Sequence, residues 1–196
     1  VSTASPVTER QPAYPIDPAV LSRWSPRSIL EKEVPDNVLM SVLEAARWAP
    51  SAFNAQPWRF IVARTKEERE TFHSFINDFN LVWCEKAPVL ILILSKTVTD
   101  RGEFPSHAFD TGAAWGFLAL EATKQGLVTH PMLGFDAAKA RETLGIPDEY
   151  VPQALVALGY QGPKEALPEA LREREVPSQR RPLEEIVYRG RFGRPI

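Results

Sequence analysis

One cysteine, three histidines and two methionines are all that the 196 residues hold of the softer metal-binding side chains. Cys84 has no second cysteine to pair with, which excludes an intrachain disulfide and a cysteine-based metal site. His73, His107 and His130 stand far apart and show no ligand spacing. Long apolar runs are missing too. The longest, residues 88–94, falls far short of the roughly 20 residues that cross a bilayer, so no membrane is expected as a partner. Neither sign of charge dominates, with 23 basic against 25 acidic residues and a net charge of −2. Without a basic field, nucleic acid is not expected as a partner either. The first residues do not pair a basic region with an apolar stretch, so they do not read as a secretory signal, and a cytoplasmic location is the expectation. Finally, Gly126 and Gly134 are isolated, and no glycine-rich turn links a strand to a helix, so a dedicated dinucleotide-binding domain is not expected.

What is present is concentrated in two short stretches. Residues 49–58 read Ala-Pro-Ser-Ala-Phe-Asn-Ala-Gln-Pro-Trp. They connect an amphipathic helical pattern to a strand pattern, and they are longer than the usual two to six residues of such a link. Pro50 and Pro57 stiffen the backbone at its two ends. Ser51, Asn54 and Gln56 offer donors and acceptors from that frame, and Phe53 and Trp58 add flat apolar faces. The combination suits a planar, polar heterocycle. Upstream, Arg23, Trp24, Ser25, Pro26 and Arg27 put two guanidiniums and a hydroxyl within five residues. Pro26 favours an extended Ser25, and alternation then places Arg23, Ser25 and Arg27 on one side. Guanidiniums hold phosphate oxygens in a bidentate fork. A receptor for an anion followed by one for a ring points to a mononucleotide cofactor.

Around these stretches the chain reads as one domain, long enough to bury roughly 70% of its unfolded surface. Residues 1–16 are polar and punctuated by proline, a flexible segment, and residues 17–196 form the domain. Asp17 and Pro18 announce a short helix. Helices are expected over 36–48, with Val38, Leu39, Val42, Leu43 and Ala46 inward, and over 66–79, with Phe72, Phe75, Ile76 and Phe79 on one face. Strands are expected at 59–64, 88–95, 127–133 and 151–159, the second apolar enough to be buried on both faces. Residues 96–107 read as a mobile loop. Residues 108–125 are apolar nearly all round, with Gly112, Ala113 and Gly116 allowing close approach of a second copy. Gly126 stops that helix, and Asp136 opens another that ends near Gly145. Residues 161–196 lack a core of their own and read as an extended arm lying on another surface. Four strands alternating with helices favour an α+β three-layer domain over a doubly wound sheet.

The two stretches resemble the nitroreductase family of FMN-dependent oxidoreductases. That family opens with Arg-x-Ser-x-Arg/Lys, here residues 23–27, followed by Ala-Pro-Ser-x-x-Asn-x-Gln-Pro-Trp, here residues 49–58. The likeness runs over roughly residues 20 to 190. It implies a three-layer α/β/α sandwich with a central mixed, mainly antiparallel sheet and a C-terminal arm reaching the partner subunit of a homodimer. It implies FMN as cofactor, NADH or NADPH as transient reductant, and a small-molecule electron acceptor such as a nitroaromatic or a quinone. Arg23, Ser25 and Arg27 would hold the phosphate, with Arg180, or its neighbour Arg181, joining them, and Trp24 would be a further cofactor contact. Pro50, Ser51, Asn54 and Gln56 would lie along the ring, the first two from the other subunit. Pro131, Met132, Leu133 and Gly134 would pass its edge and present a main-chain N–H there. Leu133 departs from the family, which often has glutamate before its Gly-Phe-Asp. No catalytic side chain is implied, since the flavin carries the chemistry. Position alone suggests Phe104, His107 and Phe109 for the acceptor pocket. Trp58 reads as a core anchor, His130 as structural and Cys84 as buried and inert. A specialised flavoenzyme of the same fold, such as a flavin reductase or a reductive dehalogenase, and a non-catalytic FMN-binding dimer remain as alternatives.

Overall fold

Residues 89–96 carry the fold. Along this strand Val89, Ile91 and Ile93 point to one face, and Leu90, Leu92 and Leu94 to the other, all of them buried. Burying each such side chain contributes about 1.5–3 kcal/mol, so two separate layers must cover it. The computed structural model describes residues 10–196, which leaves the first nine positions of the expected flexible segment outside the described residues. In chain order its elements are α1 (Pro18–Ser22), α2 (Asp36–Arg47), β1 (Trp58–Ala63), α3 (Lys66–His73), α4 (Asp78–Cys84), β2 (Val89–Lys96), β3 (Val98–Thr99), β4 (Gly102–Glu103), α5 (His107–Lys124), β5 (Val128–Met132), α6 (Ala137–Leu144), β6 (Tyr150–Gly159) and α7 (Glu169–Arg172).

The main sheet has the order β1-β2-β6-β5, and all three pairings are antiparallel. The expected sheet was mixed and mainly antiparallel; among the described residues the parallel component is missing. On one face Val89, Ile91 and Ile93 pack with Trp58, with Leu39, Val42 and Ala46 of α2, and with Ala114, Leu118 and Ala122 of α5. On the other, Leu90, Leu92 and Leu94 meet Phe72, Phe75, Trp83, Ala140, Leu167 and Leu171. The result is the three-layer α+β sandwich, with Trp58 and Cys84 both in its core; burial pushes the Cys84 thiol up to about 12. Among the described residues no helix is long and apolar enough to cross a membrane.

Two expected elements differ. The helix over 66–79 is broken into α3 and α4. Asn77 starts α4 by accepting from the Asn80 amide at 3.0 Å, and the break is held open by backbone bonds from Asn77 to Gly134 and from Asp136 to Phe75. Phe79 therefore leaves the inner face and is exposed. Residues 96–107 are not an unstructured loop. β3 and β4 pair as a small hairpin, tied down where Thr97 donates to the Glu149 carbonyl and Phe104 to that of Thr97.

α5 keeps one side uncovered. Phe109, Gly112 and Phe117 are exposed on it, and a Cβ placed at Gly112 or Gly116 would meet open space. In the tail, Leu167 and Leu171 dock on the core, whereas Val176, Leu183, Ile186, Phe192 and Ile196 stay exposed.

Candidate functional site

Five guanidiniums surround one small cavity. Arg10, Arg23, Arg27, Arg174 and Arg180 line a volume of about 240 Å³ together with Trp24, Ser25, His130, Val176 and Ser178. The extended segment after α1 supplies Arg23, Ser25 and Arg27. Its path is set by Glu175, a buried carboxylate that accepts the amides of Arg27 and Ser28, each at 2.8 Å. Glu175 is thereby occupied by backbone, and among the described residues none of the five arginines has an acidic ion-pair partner. Burial lowers the Arg23 pKa, and the charges of Arg180 and Arg10 lower it further. Half-buried Arg10 and Arg23, beside further guanidiniums and without an acidic partner, favour an anion in the cavity. Arg180 is preorganised by its own loop, donating to Ser178 Oγ at 3.0 Å and to the Gln179 carbonyl at 3.1 Å. Arg181 instead pairs with Glu185 at 3.7 Å and does not line this cavity.

His130 joins the cavity to the sheet. It sits on β5, packs against Trp83 with ring centres 4.5 Å apart and planes tilted by 42°, and donates from Nδ1 to the Pro26 carbonyl at 3.0 Å. Burial holds its pKa below the ordinary value; the Pro26 carbonyl opposes this and Arg27 reinforces it. The neutral ring therefore leaves Nε2 as an acceptor. Pro131 and Met132 continue the strand from His130, and Leu133 and Gly134 leave it. Leu133 exposes 78% of its surface. Among the described residues neither its amide nor that of Gly134 donates a hydrogen bond. A Cβ at Gly134 would collide with the side-chain amides of Asn77 and Asn80, so close packing requires glycine there.

The loop of residues 49–58 is strained. Phe53, Asn54 and Gln56 have φ of 52°, 55° and 47°, the left-handed region. Such backbone costs on the order of 1–3 kcal/mol per residue and clusters at functional sites. Two polar groups hold it. Ser51 Oγ accepts the Gln56 amide at 3.0 Å, and the buried Asp110 of α5 accepts the Ala52 amide at 3.0 Å and the Ser106 hydroxyl at 3.1 Å. Gln56 donates from its side chain to the Asn54 carbonyl at 3.0 Å. Phe53 stands 84% exposed with the Arg101 guanidinium 4.9 Å from its ring centre.

Beside this loop lies a cavity of about 570 Å³ under the β3–β4 hairpin, lined by Phe53, Arg59, Lys96, Arg101 and Phe104 among others. Of the three residues suggested for an acceptor pocket, Phe104 lines this cavity, Phe109 points to solvent on α5, and His107 serves a buried network. Gln153 Nε2 donates to Ser95 Oγ at 2.8 Å, and the Ser95 hydroxyl lies 2.7 Å from His107 Nδ1. Gln153 reaches Ser95 from a bulge in β6, where the partner of Leu94 jumps to Pro152.

The single chain thus gathers Arg23, Trp24, Ser25, Arg27 and Arg180 in one cavity and runs Pro131, Met132, Leu133 and Gly134 from its rim. It does not bring Pro50, Ser51, Asn54 or Gln56 into that cavity, because the loop leads into β1 and the cavity abuts β5, the two opposite edges of the sheet. Three strand spacings, about 14 Å, separate those edges. Sequence reasoning missed Arg10, Arg174, Glu175 and Asp110. Asp110 had a signal, an acid in a helix otherwise apolar all round; the other three sit in stretches whose composition gives no cue to their place.

Comparison with known proteins places the chain in a family. The model of the Nitroreductase family matches residues 20–82 and 72–160. The chain belongs to the nitroreductase family. It is 30% identical to the "NADH dehydrogenase" of Thermus thermophilus, over 86% of this chain and 93% of that protein. A crystal structure described as an oxidoreductase containing FMN superposes with a TM-score of 0.90 at 41% identity, covering 94% of this chain and 96% of the other. A nitroreductase family protein from Clostridium difficile superposes with a TM-score of 0.71 at 26% identity, covering 89% and 97%. Family, fold and oxidoreductase class are therefore those that the two motifs imply, and this nitroreductase-family chain keeps both motifs in structured, positioned segments.

Proposed function

We propose that this chain is an FMN-dependent NAD(P)H oxidoreductase that reduces a small electron-poor acceptor, such as a nitroaromatic or a quinone, and works as a homodimer. The arginine cavity carries the reading: it is a receptor of phosphate size and charge, and it continues directly into the β5 segment that ends at Gly134. Arg23, Ser25, Arg27 and Arg180 would grip a phosphomonoester through charge-assisted bonds. The free amides of Leu133 and Gly134 would donate to the edge of the ring, which does not depend on the Leu133 side chain. Pro50, Ser51, Asn54 and Gln56 would close the ring from a second copy, since in one chain they belong to the opposite sheet edge. FMN supplies the hydride relay when bound, so reductant and acceptor alternate at one site and ping-pong kinetics are expected. The names of relatives support the reductant: the Thermus protein is called an NADH dehydrogenase, and a Methanothermobacter relative, 27% identical over 72% of this chain and 75% of its own, a putative NADH dehydrogenase/NAD(P)H nitroreductase.

Three features support the homodimer. The α5 face with Phe109, Gly112 and Phe117 is apolar and uncovered. Two glycines inside a helix each cost about 1 kcal/mol relative to alanine, and inside the chain nothing requires them. The tail beyond Val176 exposes apolar side chains that a second copy would bury.

The test is the visible spectrum of the purified protein before and after adding FMN and removing the excess. One retained flavin per chain, bleached by NADH or NADPH and restored by a nitroaromatic or quinone, is the expected result. A protein that retains no flavin in either sample overturns the proposal.

A further inference from the structure

Arg10 lies ten residues ahead of the stretch that the family model matches, in a segment whose composition suggested only a loose leader. Yet its guanidinium is fixed. Nη1 donates to the Leu21 carbonyl at 3.0 Å and to the Arg23 carbonyl at 2.7 Å, which sets Arg10 directly beside Arg23. Its Nε is buried and, among the described residues, has no partner. Residues 11–16 then run on to α1 and, with residues 178–183 of the tail, line a groove of about 410 Å³ that shares Arg10, Ser178 and Arg180 with the arginine cavity. The N-terminal segment and the tail therefore flank a groove that adjoins the cavity.

We propose that Arg10 is a phosphate-binding residue and that its segment is a strap closing the cavity, which makes the site select FMN over riboflavin. This rests on the FMN reading given above. Bringing a third guanidinium against Arg23 and Arg180 is unfavourable in the absence of an anion. Burial lowers the Arg10 pKa, and the Arg180 charge lowers it further. The buried Glu175 carboxylate is held by the Arg27 and Ser28 amides, and among the described residues Arg10 has no ion-pair partner. A phosphomonoester dianion removes the conflict, because it has enough oxygens and charge for several guanidiniums at once. Riboflavin, with the same ring and no phosphate, brings nothing to this end of the site.

The experiment measures dissociation constants of the apoprotein for FMN and for riboflavin by flavin fluorescence quenching, with the thermal midpoint of each variant as a check on folding. Arg10→Gln keeps a hydrogen-bond donor near the Leu21 and Arg23 carbonyls and removes the charge; Arg10→Lys keeps the charge. The expected result is that Arg10→Gln weakens FMN about tenfold or more, leaves riboflavin unchanged, and that Arg10→Lys recovers part of the loss. Arg47→Ala, at an exposed guanidinium of α2 that pairs with Glu44, leaves both affinities at the wild-type value. Equal weakening of FMN and riboflavin by Arg10→Gln would show Arg10 to be only a clamp on the backbone, and an unchanged FMN affinity would show it to be no ligand; either overturns the strap. Arg23→Ala separates the two levels. If it weakens FMN and Arg10→Gln does not, the strap alone is wrong. If neither variant changes the preference for FMN over riboflavin, the cavity is not the phosphate site and the parent reading falls with it.

Discussion

Asp110 is where a single side chain anchors the motif loop. The three left-handed residues of the motif loop hold conformations that cost free energy. Something rigid must offset that cost, and the loop's anchors are Ser51 Oγ at one side and Asp110 at the other. Asp110→Ala leaves the Ala52 amide and the Ser106 hydroxyl without their partner in a partly buried setting. We expect a loss of about 1–3 kcal/mol in urea unfolding, the cost of unsatisfied buried donors. Asp110→Asn keeps an acceptor oxygen and should lose less. An Asp110→Ala variant as stable as wild type would mean that the loop's strain is met elsewhere. At this scale the sequence is legible where chemistry is dense and local: Arg23, Ser25 and Arg27 do line one cavity because they stand within five consecutive residues, although Trp24 lines it too and strict alternation does not hold. Arg10 and Arg174 reach the same cavity from 13 residues before and about 150 after Arg23, and no local pattern announces them. Ser51 and Gln56 show how a reading of residue types blurs roles, since part of their polar capacity is spent on the loop's own backbone.

Elements were readable wherever apolar periodicity and caps agree. β2, α2 and α6 stand close to their expected bounds, α6 with Asp136 accepting the Lys139 amide at 2.9 Å and Gly145 in the left-handed conformation at its end. The misreading over 66–79 came from periodicity that ran through a break: Phe72, Phe75 and Ile76 are buried as expected, but the backbone between α3 and α4 pairs with residues 134–136 and cannot stay helical. That pairing is long-range, and a window of sequence does not contain it. The same holds for the β3–β4 hairpin, which is fastened by Glu149 from a distant strand end. α5 carries a prediction of its own. Within one chain a side chain at Gly116 meets open space, so packing inside the chain tolerates a larger residue and helix propensity favours it. A second copy packed on that face does not. Sedimentation should find wild type at twice the chain mass and Gly116→Leu largely at one chain mass, with its helix content by circular dichroism intact. Wild type sedimenting at one chain mass would remove the α5 interface.

The sheet order is what keeps the two motifs apart within one chain. With β1 and β5 on opposite edges, the motif loop and the arginine cavity lie at the two ends of a sheet about 14 Å across. No reading of local pattern shows that separation, because it depends on β6, the last strand in the chain, lying between β2 and β5. If each flavin site takes its arginine cavity and residues 131–134 from one copy and its loop from the other, two damaged chains can repair each other. One carries Arg23→Ala and Arg27→Ala; the other carries Ser51→Ala and Asn54→Ala. Each alone forms homodimers in which both sites are impaired. Co-expressed, they pair at random, half the dimers are mixed, and each mixed dimer holds one site built from an intact cavity and an intact loop and one site with both parts damaged. About a quarter of the wild-type number of sites should therefore return, measured as retained flavin and as NAD(P)H oxidation. Were each site built within one chain, every site in the mixed dimers would still carry one of the two defects, and co-expression would give no more flavin than the average of the two separate preparations.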